Sequence, residues 1–140
     1  KEKIGKKKNI KFIKNNLFKI KLKKSDLIIA SLITPFLTKK EKEKFFYLVS
    51  KNLNKGGGLI IIDKIKSSDV DFENLFIDMY HEFKMKKFSA LNILKKRKSL
   101  RTAMTLNTLE QNYKLIEKNK FSKKELFFKY LNFVGIVCVK

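Results

Sequence analysis

Residues 27–63 read LIIASLITPFLTKKEKEKFFYLVSKNLNKGGGLIIID, and this stretch decides the fold. The apolar runs at 27–30 and 59–62 are typical of strands that are covered on both faces in a parallel sheet. Between them, a capping box from Thr38 to Glu41 predicts a helix of roughly 16 residues with an apolar stripe at helical spacing. The glycines at 56–58 predict the left-handed turn that ends this helix. Strand, helix, turn and strand predict a right-handed crossover unit and therefore an α/β fold.

Outside this unit, the sequence predicts strands at both ends of the chain and helices between. Residues 9–13 alternate polar and apolar, as a partly buried strand does. Apolar residues at three- and four-residue spacing predict an amphipathic helix over 71–87, and Ser89 is placed to cap the next one. A second capping box begins at Thr108. Two β-rich stretches between 126 and 139 are separated by a short connection, which predicts an antiparallel pair.

Length and composition indicate one soluble domain over residues 1–140. With 44% hydrophobic residues, one Pro and five Gly, the chain can bury a core and is unlike collagen or a flexible linker. The single cysteine, Cys138, has no partner for an internal disulfide, which indicates a reducing, cytoplasmic compartment. No apolar run approaches the roughly 18 residues of a membrane span.

The net charge of +21 invites an RNA-binding interpretation, but its distribution favours a solvated surface. Lysine occurs in every segment, whereas arginine, which makes the bidentate contacts to phosphates and bases, occurs only at Arg97 and Arg101. A basic, non-catalytic RNA-binding module therefore stays open as an alternative. Its binding would weaken steeply between about 50 and 200 mM salt.

The common catalytic motifs do not occur. There is no Walker loop, no zinc-binding pattern and no persuasive catalytic triad, and the glycines at 56–58 follow a helix instead of opening one. The one histidine, His81, lies beside the apolar stripe of its helix, which favours a partly packed surface residue over a catalytic one. No catalytic residue and no metal ligand is therefore singled out.

Several motifs downstream of the crossover unit are specific. LFIDMYHEFK at 75–84 is followed by Lys96-Arg97, by Met104, and by ELFF at 125–128, which leads to Asn132-Phe133. This order resembles the carboxy-S-adenosylmethionine synthase family, whose pattern reads approximately L-L-F-x-M-H-H-D-F-K, K-R-S and L-W-F-x-x-F-N-F. The family lies within the class I S-adenosylmethionine (SAM)-dependent methyltransferases, and the match covers nearly the whole chain in order.

The resemblance implies a Rossmann-like domain with a mostly parallel sheet and an antiparallel C-terminal strand pair. It also implies an enzyme that converts SAM and prephenate to carboxy-SAM and phenylpyruvate, with the carbon dioxide of prephenate captured by a sulfonium ylide. Carboxy-SAM then serves a separate transferase that modifies a wobble uridine of tRNA, so this chain meets tRNA only indirectly. Family members are commonly homodimers. An ordinary methyltransferase acting on another acceptor is the alternative within the same fold.

The resemblance also assigns roles to four residues. Arg97 falls where the family has an arginine that holds a substrate carboxylate, and a guanidinium grips two carboxylate oxygens at once. Asn16 and Leu17 fall where the family has an Asp-Ile pair lining the adenine of SAM, and the Asn16 carbonyl can replace an Asp acceptor. Ser31 falls where the family commonly has Asn near the ligand, after the central strand.

The family's glycine-rich SAM loop and its ribose-binding acid precede the position of Asn9. The chain begins at Lys1, not at Met, and neither feature occurs before Asn9. The expectation is a C-terminal portion, truncated at the N-terminus, that alone binds SAM weakly or not at all and is inactive until it is completed.

Overall fold

A computed structural model describes residues 9–140 and shows an α/β architecture. Its elements, in chain order, are β1 (Ser25–Ser31), α1 (Lys39–Asn52), β2 (Leu53–Lys64), α2 (Val70–Met85), α3 (Ala90–Ala103), α4 (Leu109–Lys118), β3 (Lys123–Tyr130) and β4 (Phe133–Val139). The strands form one sheet in the order β1-β2-β4-β3. β1 pairs with β2 in parallel, which confirms the crossover unit. β4 is antiparallel to both β2 and β3, so the described sheet is mixed and its C-terminal pair is antiparallel as predicted.

The core lies on the face of the sheet that α1 and α4 cover. Phe45, Phe46 and Val49 of α1 are buried there, together with Ile116 of α4. The predicted capping boxes at Thr38 and Thr108 begin these two helices and align their apolar stripes with the sheet. The strand residues of this core are Leu59, Ile61, Val134, Ile136 and Cys138. Burial raises the pKa of the Cys138 thiol to about 12, so Cys138 is a small apolar core residue.

The prediction that the glycines end α1 is wrong. The helix ends at Asn52, because Leu53 is fully buried and the chain pairs with Ser25 of β1 at that point. The glycines lie inside β2, where the pairing register with β1 shifts. Gly56 has a φ of 76°, and a Cβ on Gly57 would lie 3.0 Å from the carbonyl oxygen of Asn54. They therefore provide an irregular strand start, not a helix cap.

The predicted strand over residues 9–13 is also wrong. These residues have no regular secondary structure, and the apolar side chains of Ile10, Phe12 and Ile13 are exposed. Among residues 9–140, no strand of the sheet pairs with the 9–13 segment, and β1 pairs only with β2. An alternating pattern does not form a strand without a partner.

None of the helices within residues 9–140 combines the length and the apolar character needed to cross a membrane. The helices downstream of β2 agree closely with the sequence prediction. Asp69 caps α2 through the N–H groups of Asp71 and Phe72, and Ser89 caps α3 through the N–H of Asn92. No residue of α2 is buried, so its apolar side chains stay largely accessible.

Candidate active site

A cavity of about 670 Å³ lies where the carboxyl ends of β1 and β2 meet α2 and α3. Leu32 follows β1, Lys64 ends β2 and Phe133 begins β4, so these three positions mark one end of the sheet. Crevices outside the carboxyl ends of parallel strands are where open α/β sheets bind ligands. The other lining residues are Phe36, Phe76, Ile77, Tyr80, His81, Lys84, Lys96, Arg97, Leu100, Arg101, Met104, Leu106 and Asn132.

The cavity lining is electropositive. It contains five cations, Lys64, Lys84, Lys96, Arg97 and Arg101, and no Asp or Glu among the lining residues. The three ion pairs within residues 9–140 all lie elsewhere, on α1, α4 and β3. Burial, and then the neighbouring cations, lower the pKa of Lys84. A concave surface of one charge sign concentrates ligands of the opposite charge, so the cavity is suited to an anion.

Two of these cations lie near the ring of Tyr80. The Lys84 Nζ is 4.3 Å from the centroid of the Tyr80 ring, and the Lys64 Nζ is 5.7 Å from it. The ring also makes an edge contact with Phe133 at 5.2 Å between centroids. Burial lowers the pKa of Lys64, and Glu73 opposes that effect. The aromatic face therefore holds two ammonium groups at the cavity wall.

His81 lines the same cavity and is half-buried, which agrees with the prediction of a partly packed residue. Burial lowers its pKa below the ordinary value of 6.5, and the charges of Lys84 and Arg97 lower it further. These effects favour the neutral imidazole, whose unprotonated nitrogen can accept a hydrogen bond.

Glu73 ties the β3–β4 turn to α2 on one side of the cavity. Its carboxylate accepts hydrogen bonds from the Ser67 backbone N–H at 2.6 Å and from the Asn132 Nδ2 at 3.1 Å. Asn132 is buried, and its Oδ1 has no partner among the described residues. Asn132 lines the cavity and Glu73 does not, so the Glu73 hydrogen bonds hold this part of the cavity wall in place from behind.

Lys42 fixes the opposite part of the wall from inside the core. Its side chain is only 1% exposed, and its Nζ donates hydrogen bonds to the Thr105 carbonyl oxygen and to the Asn107 Oδ1. The Thr105 N–H donates in turn to the Pro35 carbonyl oxygen at 2.7 Å. These bonds hold the segment after α3, which contributes Leu106 to the cavity, against the turn after β1.

Of the four residues assigned by resemblance, only Arg97 lines this cavity. Ser31 is exposed at the carboxyl end of β1, next to the lining residue Leu32. Asn16 caps the 3-10 helix Leu17–Lys19, and its Oδ1 accepts a hydrogen bond from the Phe18 N–H at 2.9 Å. Its carbonyl keeps one lone pair and its amide two donors, which fits an adenine edge. The binding roles of all four residues stay predictions.

Sequence reasoning missed Lys64, Lys84 and Arg101 as site residues. For Lys84 and Arg101 the signal was helical spacing: Tyr80 and Lys84 are four residues apart on α2, and Arg97 and Arg101 are four apart on α3. Lys64 ends a strand and gave no such signal. Residues four apart lie on one face of a helix. What the spacing does not show is that these two faces border the same cavity.

The fold is that of the class I SAM-dependent methyltransferases. Human N-acetylserotonin methyltransferase in complex with SAM covers the whole chain with a TM-score of 0.66 and 16% identity, over 36% of its own length. An O-methyltransferase family 2 protein from Planctomyces limnophilus in complex with apigenin covers 90% of the chain with a TM-score of 0.63 and 15% identity, over 33% of its length. At these identities the likeness shows the fold alone. No protein-family model matches the chain.

The curated relatives confirm the resemblance to the carboxy-S-adenosyl-L-methionine synthases. The enzyme of that name from Staphylococcus epidermidis is 32% identical over 133 residues, which is 94% of this chain and 58% of that protein. Those from Shewanella sediminis and Idiomarina loihiensis are 29% and 24% identical, over 86% and 89% of this chain and 50% and 52% of their own length. The chain therefore spans a little over half the length of the curated relatives it matches.

Proposed function

We propose that this chain is the C-terminal part of a carboxy-S-adenosylmethionine synthase that converts SAM and prephenate to carboxy-SAM and phenylpyruvate. The observation that carries the proposal is the cavity at the strand ends, where Arg97 and four other cations line an otherwise largely apolar wall. Prephenate combines two carboxylates with an apolar ring, so it matches both properties of this lining.

The atom balance of the reaction indicates what the cavity has to do. The ring carboxylate of prephenate leaves as carbon dioxide while the ring becomes aromatic and releases its hydroxyl as hydroxide. The carbon dioxide becomes bonded to the methyl carbon of SAM, and the proton lost from that methyl leaves with the hydroxide as water. The chain's part is to orient the substrate through Arg97 and to keep bulk water away with apolar residues such as Phe76 and Leu100.

For SAM, the residues in this chain that fit the adenine are Asn16 and Leu17, and Ser31 lies where a residue near the ligand is expected. Leu17 packs against the core and offers an apolar surface beside the Asn16 amide. In the proposed function, carboxy-SAM is the substrate of a separate transferase that modifies a tRNA wobble uridine in the cytoplasm. The interaction of this chain with tRNA is then indirect, and self-association as a homodimer is part of the same proposal.

The test is prephenate-dependent product formation by the full-length protein, followed by mass spectrometry as the gain of one carboxyl group on SAM. We expect Arg97→Ala to lower kcat/KM for prephenate by roughly 10- to 100-fold, because a hydrogen-bonded charge is lost. Lys98→Ala is the matched control, since Lys98 is exposed on the same helix and does not line the cavity. Unchanged turnover in Arg97→Ala would remove the proposed anchor, and prephenate-independent methyl transfer would favour an ordinary methyltransferase.

A further inference from the structure

We propose that Lys64 and Lys84 are specificity-determining residues of this cavity. Their ammonium groups, held on the Tyr80 ring, bind the second carboxylate of a doubly charged substrate whose first carboxylate is bound by Arg97. The inference rests on the proposed function for the identity of the substrate. The inference adds which residues let the site prefer a ligand with two carboxylates over a ligand with one.

The first support is the geometry around Tyr80. Both ammonium groups lie within 6 Å of one aromatic centroid, the Lys84 Nζ at 4.3 Å and the Lys64 Nζ at 5.7 Å. The Lys64 Nζ is also 5.9 Å from the centroid of Phe133. An aromatic face attracts an ammonium group by its charge and does not use all three of its N–H donors for hydrogen bonds. The two side chains are thus positioned while their donors stay available.

The second support is that no carboxylate among the described residues is in direct contact with either ammonium group. Within residues 9–140, neither Lys64 nor Lys84 forms an ion pair or a side-chain hydrogen bond. The acid whose charge acts on Lys64 is Glu73, and its oxygens accept hydrogen bonds from Ser67 and Asn132, not from Lys64. Burying cations together without a partner is unfavourable, and an anionic ligand removes that cost.

The third support is the contrast between Lys84 and the two lysines just beyond the end of the same helix. Lys84 is half-buried in the cavity wall, whereas Lys86 and Lys87 are exposed and do not line the cavity. Burial, and then the charges of Lys64, Lys96 and Arg97, lower the pKa of Lys84. A lysine that only solubilised the surface would be placed like Lys87.

The experiment compares the binding of two ligands that share a phenyl group but carry either one or two carboxylates. Calorimetric titration of the full-length protein with phenylmalonate and with phenylacetate, at equal ionic strength, measures the preference for the dianion. We expect the unaltered protein to prefer phenylmalonate by about tenfold or more, and Lys64→Gln and Lys84→Gln each to remove most of that preference. Lys87→Gln removes the same charge outside the cavity and should leave the preference intact.

Thermal unfolding of the same variants separates binding from folding. Removing a cation from an uncompensated cluster should leave the melting temperature unchanged or raise it, while binding weakens, and a merely structural lysine would not give this combination. The inference is overturned if the unaltered protein shows no preference, or if Lys64→Gln and Lys84→Gln behave like Lys87→Gln. Prephenate turnover is scored separately: its absence with the preference intact would contradict the proposed function and leave the dianion subsite standing.

Discussion

Asp63, which ends the buried part of β2 immediately before Lys64, should make the fold less stable as pH rises. The side chain is 1% exposed, its Oδ2 accepts a hydrogen bond from the Thr34 hydroxyl, and its Oδ1 has no partner among the described residues. Burial raises the pKa of Asp63 from 3.8 to about 6, against the opposing effects of Thr34, the Lys64 backbone N–H and the Lys42 charge. The folded state therefore keeps a proton that the unfolded chain releases.

The magnitude follows from the two pKa values. Each pKa unit corresponds to about 1.4 kcal/mol, so a pKa of about 6 instead of 3.8 gives roughly 3 kcal/mol. The protonated Asp63 contributes this stability fully below the unfolded pKa. The contribution is lost as pH rises through the folded pKa. Above about pH 6 the free energy of unfolding should be lower by roughly this amount.

Asp63→Asn isolates the effect from the titration of the other groups. Urea unfolding of both proteins from about pH 3 to pH 7 gives the difference in their free energies of unfolding. We expect the unaltered protein to lose roughly 3 kcal/mol relative to Asp63→Asn over this range. Lys42→Met should move the loss to higher pH, because it removes the cation that lowers the pKa of Asp63. A difference that stayed constant within about 0.5 kcal/mol would refute the reasoning.

Two further predictions concern the segment after α3 and the pairing of β3 with β4. Lys42→Met should speed amide hydrogen exchange at Thr105, because the Thr105 carbonyl loses its buried donor. Lys44→Met, on the exposed side of α1, is the control and should leave the exchange unchanged. Equal protection of Thr105 in both variants would contradict the role of Lys42 in holding the segment after α3. Gly135→Ala places a Cβ 2.6 Å from the Phe127 ring and should lower the free energy of unfolding by about 1–3 kcal/mol, measured by urea unfolding. The loss should largely disappear when Phe127 is also replaced by Ala. If the effects of the two substitutions were fully additive, the proposed clash would be contradicted.

Local signals predicted the elements of this fold because each of them acts within a few residues. The hydroxyl of Thr38 and the carboxylate of Glu41 satisfy the N–H groups at the start of α1, and the same arrangement begins α4. The two β-rich stretches at the C-terminus could pair across a two-residue turn. The parallel crossover also follows from the order of apolar runs and helix, so most of the described architecture was predictable.

The errors share a physical cause, which is that partners distant in the sequence override a local preference. Gly56 was interpreted as a helix cap, but α1 ends earlier because Leu53 is buried against the sheet. Residues 9–13 alternate like a strand, yet no described strand pairs with them. The site was only partly predictable for the same reason. Arg97 came from a family resemblance, whereas Lys64 and Lys84 became site residues only once β2 and α2 were seen to border one cavity.

The helices that carry most of the cavity cations, α2 and α3, are also the least buried helices within residues 9–140. No residue of α2 is buried, and Ile93 is the only buried residue of α3, although both helices carry large apolar side chains. Closer packing of α2 against α3 would bring Lys84, Lys96 and Arg97 together without a counter-charge. The electrostatic cost of that approach would oppose the free energy gained from apolar contact. An anion in the cavity removes that cost and leaves the apolar contribution unopposed. An open, electropositive cavity of this kind is therefore expected to be stabilised when an anionic ligand binds to it.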